Sequence, residues 1–200
     1  MAGGEELKLL GWGAPGVSPF VLRAQMALAV KGLSYKYLPE DRWCKSDLLV
    51  ASNPVYKKVP VLIHNGKLIC ESLLIVEYLD DALGLPGNGK PILPADPYSR
   101  AVARFWAAYA NDKEAPFFGG GSIGFLDIAL GCYLPWFEAV GRLAGVGPLI
   151  DPARTPKLAA WAERFRVAEP VKALLPGVDK LEEYITKVLY PKWNVVVTGN

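Results

Sequence analysis

The chain has 200 residues, of which 52% are hydrophobic and 11% are aromatic. This composition lies far from the low hydrophobicity and high charge of disordered chains, so we expect a folded protein with a sizeable core. The 22 lysines and arginines nearly balance the 20 aspartates and glutamates, for a formal net charge of +2. Because no long basic run occurs, the charge pattern does not indicate nucleic-acid binding.

The apolar residues and the cysteines also exclude several classes of protein. No uninterrupted run of about 18 apolar residues occurs, so no transmembrane helix is predicted. The N-terminal segment is acidic where a secretory signal would be basic, and we expect a cytoplasmic protein. Cys44, Cys70 and Cys132 are irregularly spaced, and the chain has one histidine. We therefore expect reduced thiols and no metal site.

The first 85 residues alternate between strand-like and helix-like segments. Strands are predicted over residues 7–11, 35–38, 59–64 and 67–70, and helices over residues 20–31, 45–51 and 72–84. Asn65-Gly66 separates the last two strands and tolerates the positive φ angles of a type I′ hairpin turn. The predicted order is therefore β-α-β-α-β-β-α.

The sequence of the second half of the chain predicts helices. Residues 85–91 are rich in proline and glycine and indicate a linker. Helices are predicted over residues 98–112, 125–142, 157–168 and 178–189. Pro135 should kink or break the second of these, and Asp127 should cap its start by accepting from the backbone of Gly124. We expect an α+β chain with domains over residues 1–85 and 96–200, joined by a linker over residues 86–95.

The sequence offers little for catalysis by a histidine base. His64 lies beside the predicted hairpin turn, where we expect a surface residue. Neither a G-x-S-x-G elbow nor a phosphate-binding P-loop occurs. Hydrolase mechanisms that need a histidine base are therefore disfavoured.

Four features could bind a ligand, and each also has a purely structural explanation. Ser18 is either a helix N-cap or a hydroxyl that donates to a thiolate. Val59-Pro60 is either a strand start or a cis peptide that pairs with an extended peptide ligand. Glu71-Ser72 either caps a helix or recognises amino and carboxylate groups, and Lys45 is either solvated or a carboxylate ligand. Strand ends and helix starts converge at one sheet edge, so these features should lie together.

A larger set of segments carries a family resemblance. These segments are Ser18-Pro19-Phe20 with Arg23, and residues 53–62, 64–67, 69–72, 94–98, 105–107, 117–120 and 126–131. Together they resemble the plant tau class of glutathione S-transferases. The resemblance covers nearly the whole chain, and residues 53–72 are its most specific part.

The resemblance implies a fold and a reaction. It implies a thioredoxin-like N-terminal domain that binds glutathione and an all-α C-terminal domain that supplies most of an electrophile pocket. It further implies that Ser18 donates to the glutathione sulfur and stabilises the thiolate, which attacks small hydrophobic electrophiles. Glutathione would be the co-substrate, without a metal, in a detoxifying cytoplasmic homodimer.

The resemblance also assigns the remaining parts of glutathione to residues of this chain. Lys45 would bind the glycine carboxylate. The Val59 backbone, before a cis Pro60, would pair with the cysteinyl part. Glu71 and Ser72 would bind the γ-glutamyl end.

The electrophile pocket is expected to be aromatic. Its expected residues are Phe20, Trp106, Tyr109, Trp12 and Trp161. Each of these aromatic side chains is equally well explained as ordinary core.

Two departures from the family pattern leave other interpretations open. The loop over residues 11–17 is longer than usual, and part of a helix pair is missing near residues 113–115. The missing helices would open the electrophile pocket and weaken dimer contacts. One alternative is therefore a non-catalytic, ligandin-like binding protein. A glutathione-dependent reductase is disfavoured because it needs a cysteine in place of Ser18.

Overall fold

The computed structural model describes residues 6–83, 90–105, 116–118 and 120–192. Its first part contains four strands and three helices. The strands are β1 (Leu7–Trp12), β2 (Lys36–Glu40), β3 (Val61–His64) and β4 (Lys67–Cys70). The helices are α1 (Pro19–Val30), α2 (Asp47–Ser52) and α3 (Ser72–Ala82). The predicted order β-α-β-α-β-β-α is confirmed.

The four strands form one mixed sheet in the order β2-β1-β3-β4. β1 pairs in parallel with β2 and antiparallel with β3, and β3 pairs antiparallel with β4. Leu9 and Leu10 of β1 both have no exposed surface although they point to opposite faces, so the central strand is covered on both sides. The sheet core is therefore sealed by packed helices.

The turn between β3 and β4 has the predicted geometry. Asn65 and Gly66 have φ angles of 49° and 81°. Positive φ at both central residues is what a type I′ turn requires, and it matches the twist of the flanking strands. His64 is paired across the turn with Lys67.

The prediction of a surface histidine beside this turn is wrong. His64 is only 8% exposed, and its Nδ1 lies 2.8 Å from the Tyr78 hydroxyl. Tyr78 belongs to α3, which covers that end of β3, so the side chain is enclosed by a helix distant in the sequence.

Apart from an isolated bridge between Phe117 and Gly120, the regular elements described in the second part of the chain are helices. Its α-helices are α4 (Pro97–Phe105), α5 (Phe125–Gly131), α6 (Leu134–Leu143), α7 (Pro156–Val167) and α8 (Val178–Tyr184). A π-helical turn, Ile185–Leu189, continues α8 to a last α-helical turn, Tyr190–Lys192. The part of the predicted helix 98–112 beyond residue 105 lies outside the described residues.

The break at Pro135 is confirmed. The predicted helix 125–142 is divided into α5 and α6 by a turn at Cys132 and Tyr133. Pro135 occupies the first turn of α6, where its missing N–H would have no helical partner. The predicted cap is also present, because an Asp127 carboxylate oxygen accepts from the Gly124 N–H at 2.9 Å.

Asp80 of α3 pairs with Lys31 at the end of α1 and also holds the segment before α4. The Lys31 ammonium lies 3.0 Å from Asp80, and their side chains are 2% and 7% exposed. Asp80 also accepts from the backbone N–H groups of Ile92 and Leu93, both at 2.9 Å. Residues 92 and 93 of the predicted linker are thus anchored to α3 through their backbone N–H groups. The domain boundaries themselves stay a prediction.

Within the described ranges, no helix combines the length and apolar character needed to cross a bilayer. In the same residues, no group of three or more metal-ligating side chains is placed to hold an ion. Cys44, Cys70 and Cys132 are all free thiols.

Candidate functional site at the start of α1

Ser18 lies at the N-terminus of α1, directly after the loop that follows β1. Its backbone is extended, with φ −92° and ψ 123°, and Pro19 begins the helix. The Ser18 Oγ accepts from the Val21 N–H at 3.5 Å, a long capping bond. A hydroxyl has one donor hydrogen besides its acceptor lone pairs, so this bond leaves the O–H able to donate to a ligand.

The loop before Ser18 is held from two sides. The Gly16 N–H donates to the Gln25 side chain of α1 at 3.2 Å, and Gly16 has a φ of 89°, which favours glycine. The Trp136 indole N–H of α6 donates to the Val17 carbonyl at 3.1 Å. The longer loop is therefore fixed by the helical part as well as by α1.

Val59-Pro60 lies at the entry of β3. The peptide bond between them is cis, as the resemblance implies. The residue before Val59 is anchored because the Asn53 side chain donates to the Lys58 carbonyl at 3.0 Å.

Glu71 and Ser72 lie at the start of α3. Glu71 has a φ of 69°, in the left-handed region that non-glycine residues rarely adopt. Such strained backbone is often found at ligand sites. Ser72 is buried, and its Oγ accepts from the Arg23 guanidinium at 3.2 Å.

Arg23 is the residue whose role the sequence did not reveal. It belongs to α1 and also donates to the Ala129 carbonyl at 2.9 Å and to the Tyr133 hydroxyl at 3.1 Å. Its guanidinium carbon lies 5.0 Å from the centre of the Tyr133 ring. Arg23 thus connects the Ser72 end of the site to the α5–α6 junction. The available signal was the single charged residue within the helical run Pro19–Val30.

Lys45 is exposed between β2 and α2 and makes no ion pair with any described residue. The next residue, Ser46, caps α2 by accepting from the Leu49 N–H at 3.0 Å. The Ser46 hydroxyl donates to buried Glu40 at 2.7 Å, and the other Glu40 carboxylate oxygen accepts from the Ser46 N–H at 3.2 Å. Glu40 therefore positions the segment that carries Lys45.

Two of the expected electrophile-pocket residues are partly open to solvent. Trp12 lines a cavity of about 290 Å³ together with Val17, Trp43 and Tyr184. Phe20 is 47% exposed, and its ring meets the Tyr133 ring edge-on at 6.1 Å. The cavity thus reaches Val17, next to Ser18, and is bordered on one side by Tyr184 of α8, whereas Phe20 does not line it.

Of the other three expected pocket residues, only Trp161 lies among the described residues, and it does not line this cavity. Trp161 is 3% exposed, and its indole N–H donates to Asp127 at 2.7 Å. Its ring packs 5.5 Å from that of Phe165. The structure therefore places Trp161 in the core, the alternative that the sequence left open. Trp106 and Tyr109 lie outside the described residues.

Two of the protein's own thiols are poorly suited to act as nucleophiles. Burial raises the pKa of the Cys132 thiol to about 11, against a partial lowering by the nearby Arg23. Burial also raises the pKa of Cys70, and the Glu71 carboxylate adds to this effect. Because the thiolate is the reactive form, neither residue is activated.

Two family models match the chain. The Glutathione S-transferase, N-terminal domain model matches residues 6–81, and the Glutathione S-transferase, C-terminal domain model matches residues 77–164. Together they span both the sheet and most of the helical part.

Named relatives match over almost their whole length. The chain is 42% identical to the probable glutathione S-transferase GSTU6 of Oryza sativa subsp. japonica, over 97% of this chain and 98% of the relative. It is 40% identical to glutathione S-transferase U17 of Arabidopsis thaliana, over 94% of this chain and 97% of the relative. The rice alignment spans 238 positions and is therefore longer than this chain, so the relative carries residues with no counterpart here.

Solved structures agree with these matches. The tau-class glutathione S-transferase MiGSTU from mango, Mangifera indica, is 41% identical, with a TM-score of 0.81 over 92% of this chain and 98% of that chain. Rice GST1 (OsGSTU1) in complex with glutathione is 35% identical, with a TM-score of 0.81 over 96% and 99% of the two chains.

Proposed function

Since this chain belongs to the glutathione S-transferase family, within its plant tau class, we propose that it joins the thiolate of glutathione to small hydrophobic electrophiles, with Ser18 stabilising that thiolate. As a glutathione transferase it uses glutathione as co-substrate. The observation that carries the proposed mechanism is the Ser18 hydroxyl at the start of α1, which accepts a long capping bond from the Val21 N–H.

The mechanism requires a lower thiol pKa. A free thiol with a pKa of about 8.5 is only a few per cent ionised at neutral pH. Lowering this pKa by about two units ionises most of the thiol, and it requires the site to stabilise the thiolate over the thiol by about 2.7 kcal/mol. A hydroxyl donor and the positive end of the α1 dipole both act on a sulfur held beside Ser18. The thiolate then attacks an electrophilic carbon and forms a carbon–sulfur bond. With a chloroarene the carbon–chlorine bond breaks and chloride leaves, and with a conjugated enone the carbon–carbon π bond breaks and the product takes a proton from water.

The other glutathione contacts follow the assigned residues. The Lys45 ammonium binds the glycine carboxylate, and the Val59 backbone before Pro60 pairs with the cysteinyl part. Glu71 and Ser72 bind the γ-glutamyl end at the start of α3, where unpaired N–H groups favour a carboxylate. The Arg23 charge next to Ser72 supports the same end of the ligand.

The acceptor pocket is proposed on the aromatic residues around Ser18. Trp12 and Phe20 have exposed ring surface for a flat electrophile, and Trp106 and Tyr109 complete the proposed set. Trp161 supports this part of the fold through its bond to Asp127. We further propose that part of a helix pair is missing near residues 113–115, which leaves the pocket wider.

Ser18→Ala tests the mechanism with 1-chloro-2,4-dinitrobenzene as acceptor. We expect turnover at pH 7 to fall by about tenfold or more, and the midpoint of the pH profile to rise by about two units, because the thiol loses its donor. Ser18→Thr keeps a hydroxyl and should retain most activity. Loss of the N-cap should lower the free energy of unfolding of Ser18→Ala by about 1 kcal/mol, and urea unfolding measures this loss separately from turnover.

An unchanged pH profile in Ser18→Ala would show that Ser18 is only a cap.

The ligandin-like alternative is favoured by the residues that the rice relative has and this chain lacks. It predicts tight glutathione binding by calorimetry, with turnover equal to the uncatalysed background in the unaltered protein.

We also propose a detoxifying role, a homodimer and a cytoplasmic location. Three free cysteines suit a reducing compartment. Sedimentation velocity with and without glutathione tests the dimer, and fractionation of the source tissue tests the location. A monomer at all concentrations, or recovery in an extracellular fraction, would exclude the corresponding proposal.

A further inference from the structure

Glu40 is a buried residue at the end of β2 that no step of the proposed mechanism uses. It is 6% exposed and lies opposite Trp12 of β1 in the sheet register. Because a glutamate is rarely buried unless its carboxylate is paired, the bonding partners of Glu40 indicate its role. These partners lie toward both ends of the candidate glutathione site.

The main chain of Glu40 holds the segment that leads to Ser18. The Gly13 N–H donates to the Glu40 carbonyl at 3.0 Å, directly after β1 ends at Trp12. The loop from Gly13 to Ser18 therefore begins at a point fixed on Glu40.

The side chain of Glu40 holds the segment that carries Lys45. One carboxylate oxygen accepts from the Ser46 hydroxyl at 2.7 Å, and the other accepts from the Ser46 N–H at 3.2 Å. The same hydroxyl oxygen accepts from the Leu49 N–H at 3.0 Å, so this contact also fixes the start of α2. Two bonds from one carboxylate to one residue fix the orientation of that residue as well as its position.

A second carboxylate shapes the same segment from its other end. One Asp41 oxygen accepts from the N–H groups of Trp43 at 2.7 Å and Cys44 at 3.0 Å. Lys45 thus lies between Cys44 and Ser46, whose backbone N–H groups are each bonded to a carboxylate. The Lys45 side chain therefore starts from a fixed backbone position.

We propose that Glu40 is a positioning residue that sets the separation of Ser18 and Lys45, and thereby selects a thiol peptide with the length of glutathione. The inference rests on the proposed function, in which Ser18 contacts the sulfur and Lys45 binds the glycine carboxylate. Binding groups are effective only when they are held within about 0.5 Å of the productive geometry. A peptide that is shorter or longer than glutathione misplaces its carboxylate against a fixed Lys45, and a loosened segment discriminates less.

Isothermal titration calorimetry with three thiol peptides tests this selection. The peptides are glutathione, γ-glutamylcysteine, which lacks the glycine, and γ-glutamylcysteinyl-β-alanine, which is longer by a methylene group. Glu40→Gln keeps the size of the side chain, but its NH₂ group cannot accept from Ser46, so one of the two bonds is lost.

We expect Glu40→Gln to weaken binding of glutathione selectively. The Kd of glutathione should rise about fivefold or more, whereas the Kd of γ-glutamylcysteine should change by less than about twofold. The preference for glutathione over the β-alanine peptide should shrink by about threefold or more.

Glu138→Gln is the matched control. It makes the same chemical change in α6, where Glu138 pairs with Arg142 and Arg166 and has no role in the proposed glutathione site. We expect this variant to change each of the three affinities by less than about twofold.

A double-variant comparison shows whether Glu40 acts through Lys45. Lys45→Met removes the ammonium, so Glu40→Gln should cause no further loss of glutathione affinity in that background. If Glu40→Gln fails to fold, Ser46→Ala removes the hydroxyl that Glu40 binds and should cause the same selective loss.

Three results would overturn the proposal. An unchanged glutathione Kd in Glu40→Gln would show that the contact with Ser46 does not position Lys45. Equal losses for glutathione and γ-glutamylcysteine would show that Glu40 only stabilises the fold. A further loss in the Lys45→Met background would show that Glu40 acts through another residue.

Failure of the proposed function gives a different pattern. The unaltered protein would then bind glutathione and form no conjugate with 1-chloro-2,4-dinitrobenzene, while the three affinities would still decide the role of Glu40. Absence of glutathione binding by the unaltered protein would overturn both proposals.

Discussion

Arg23→Met is expected to loosen the connection between the sheet and the helical part. Arg23 is 9% exposed, and it donates to Ser72, Tyr133 and the Ala129 carbonyl at 3.2, 3.1 and 2.9 Å. Methionine has a similar length and fills most of the space, but it donates to none of these oxygens. The substitution therefore isolates the polar contacts from the packing.

The expected loss follows from those contacts. Hydrogen bonds from a charged donor contribute about 1.5–3 kcal/mol each, and three acceptors lose their donor. Removing a buried cation also relieves its desolvation cost, which offsets part of this loss. We expect the free energy of unfolding to fall by about 2–4 kcal/mol, equal to a shift of roughly 1–2 M in the urea midpoint.

Urea unfolding followed by tryptophan fluorescence and circular dichroism measures this shift. Arg100→Met is the control, because Arg100 pairs with exposed Asp81 at another contact between the two parts. A surface ion pair contributes about 0–1 kcal/mol, so its loss should move the midpoint little. Equal midpoints for the two variants would refute the argument that the buried contacts of Arg23 stabilise the fold.

Three further expectations concern the core. Asp80→Asn removes the charge that pairs with buried Lys31, and we expect a loss of about 3–5 kcal/mol in chemical unfolding; a loss below about 1 kcal/mol would contradict it. Gly131→Ala would bring a Cβ into the Phe165 ring, so thermal melting should show a destabilisation of about 1–3 kcal/mol, and an unchanged melt would contradict the packing. Burial raises the pKa of Cys132 from 9.0 to about 11, so the unfolded chain loses this proton first and stability should fall between pH 9 and pH 11. The slope from this thiol, about 1.4 kcal/mol per pH unit, should be absent in Cys132→Ala when urea unfolding is repeated across that range.

Much of the fold could be predicted because its signals are local. Asn65-Gly66 specifies its own turn through the φ angles that these residues tolerate, and both angles are positive in the structure. Pro135 ends one helix and starts another because it lacks an N–H. Asp127 caps α5 from three residues away.

The candidate site could be predicted only in part. Ser18 was identifiable because a helix cap and a helix-start ligand site use the same residue type at the same position. The contact between Arg23 and Ser72 was not, because it joins residues 49 positions apart. Trp161 shows the same limit, since its burial against Asp127 depends on how α7 packs on α5.

The sequence by itself determined the order of strands and helices, the hairpin, the break at Pro135 and the kind of residue at the start of α1. Each of these depends on backbone preferences within a few neighbouring residues. Only the tertiary structure decided that His64 is covered by α3, that Trp136 holds the loop before Ser18, and that Arg23 reaches both Ser72 and Tyr133. These features depend on side chains from separate helices and strands meeting in space, and no local pattern in the chain encodes those distances.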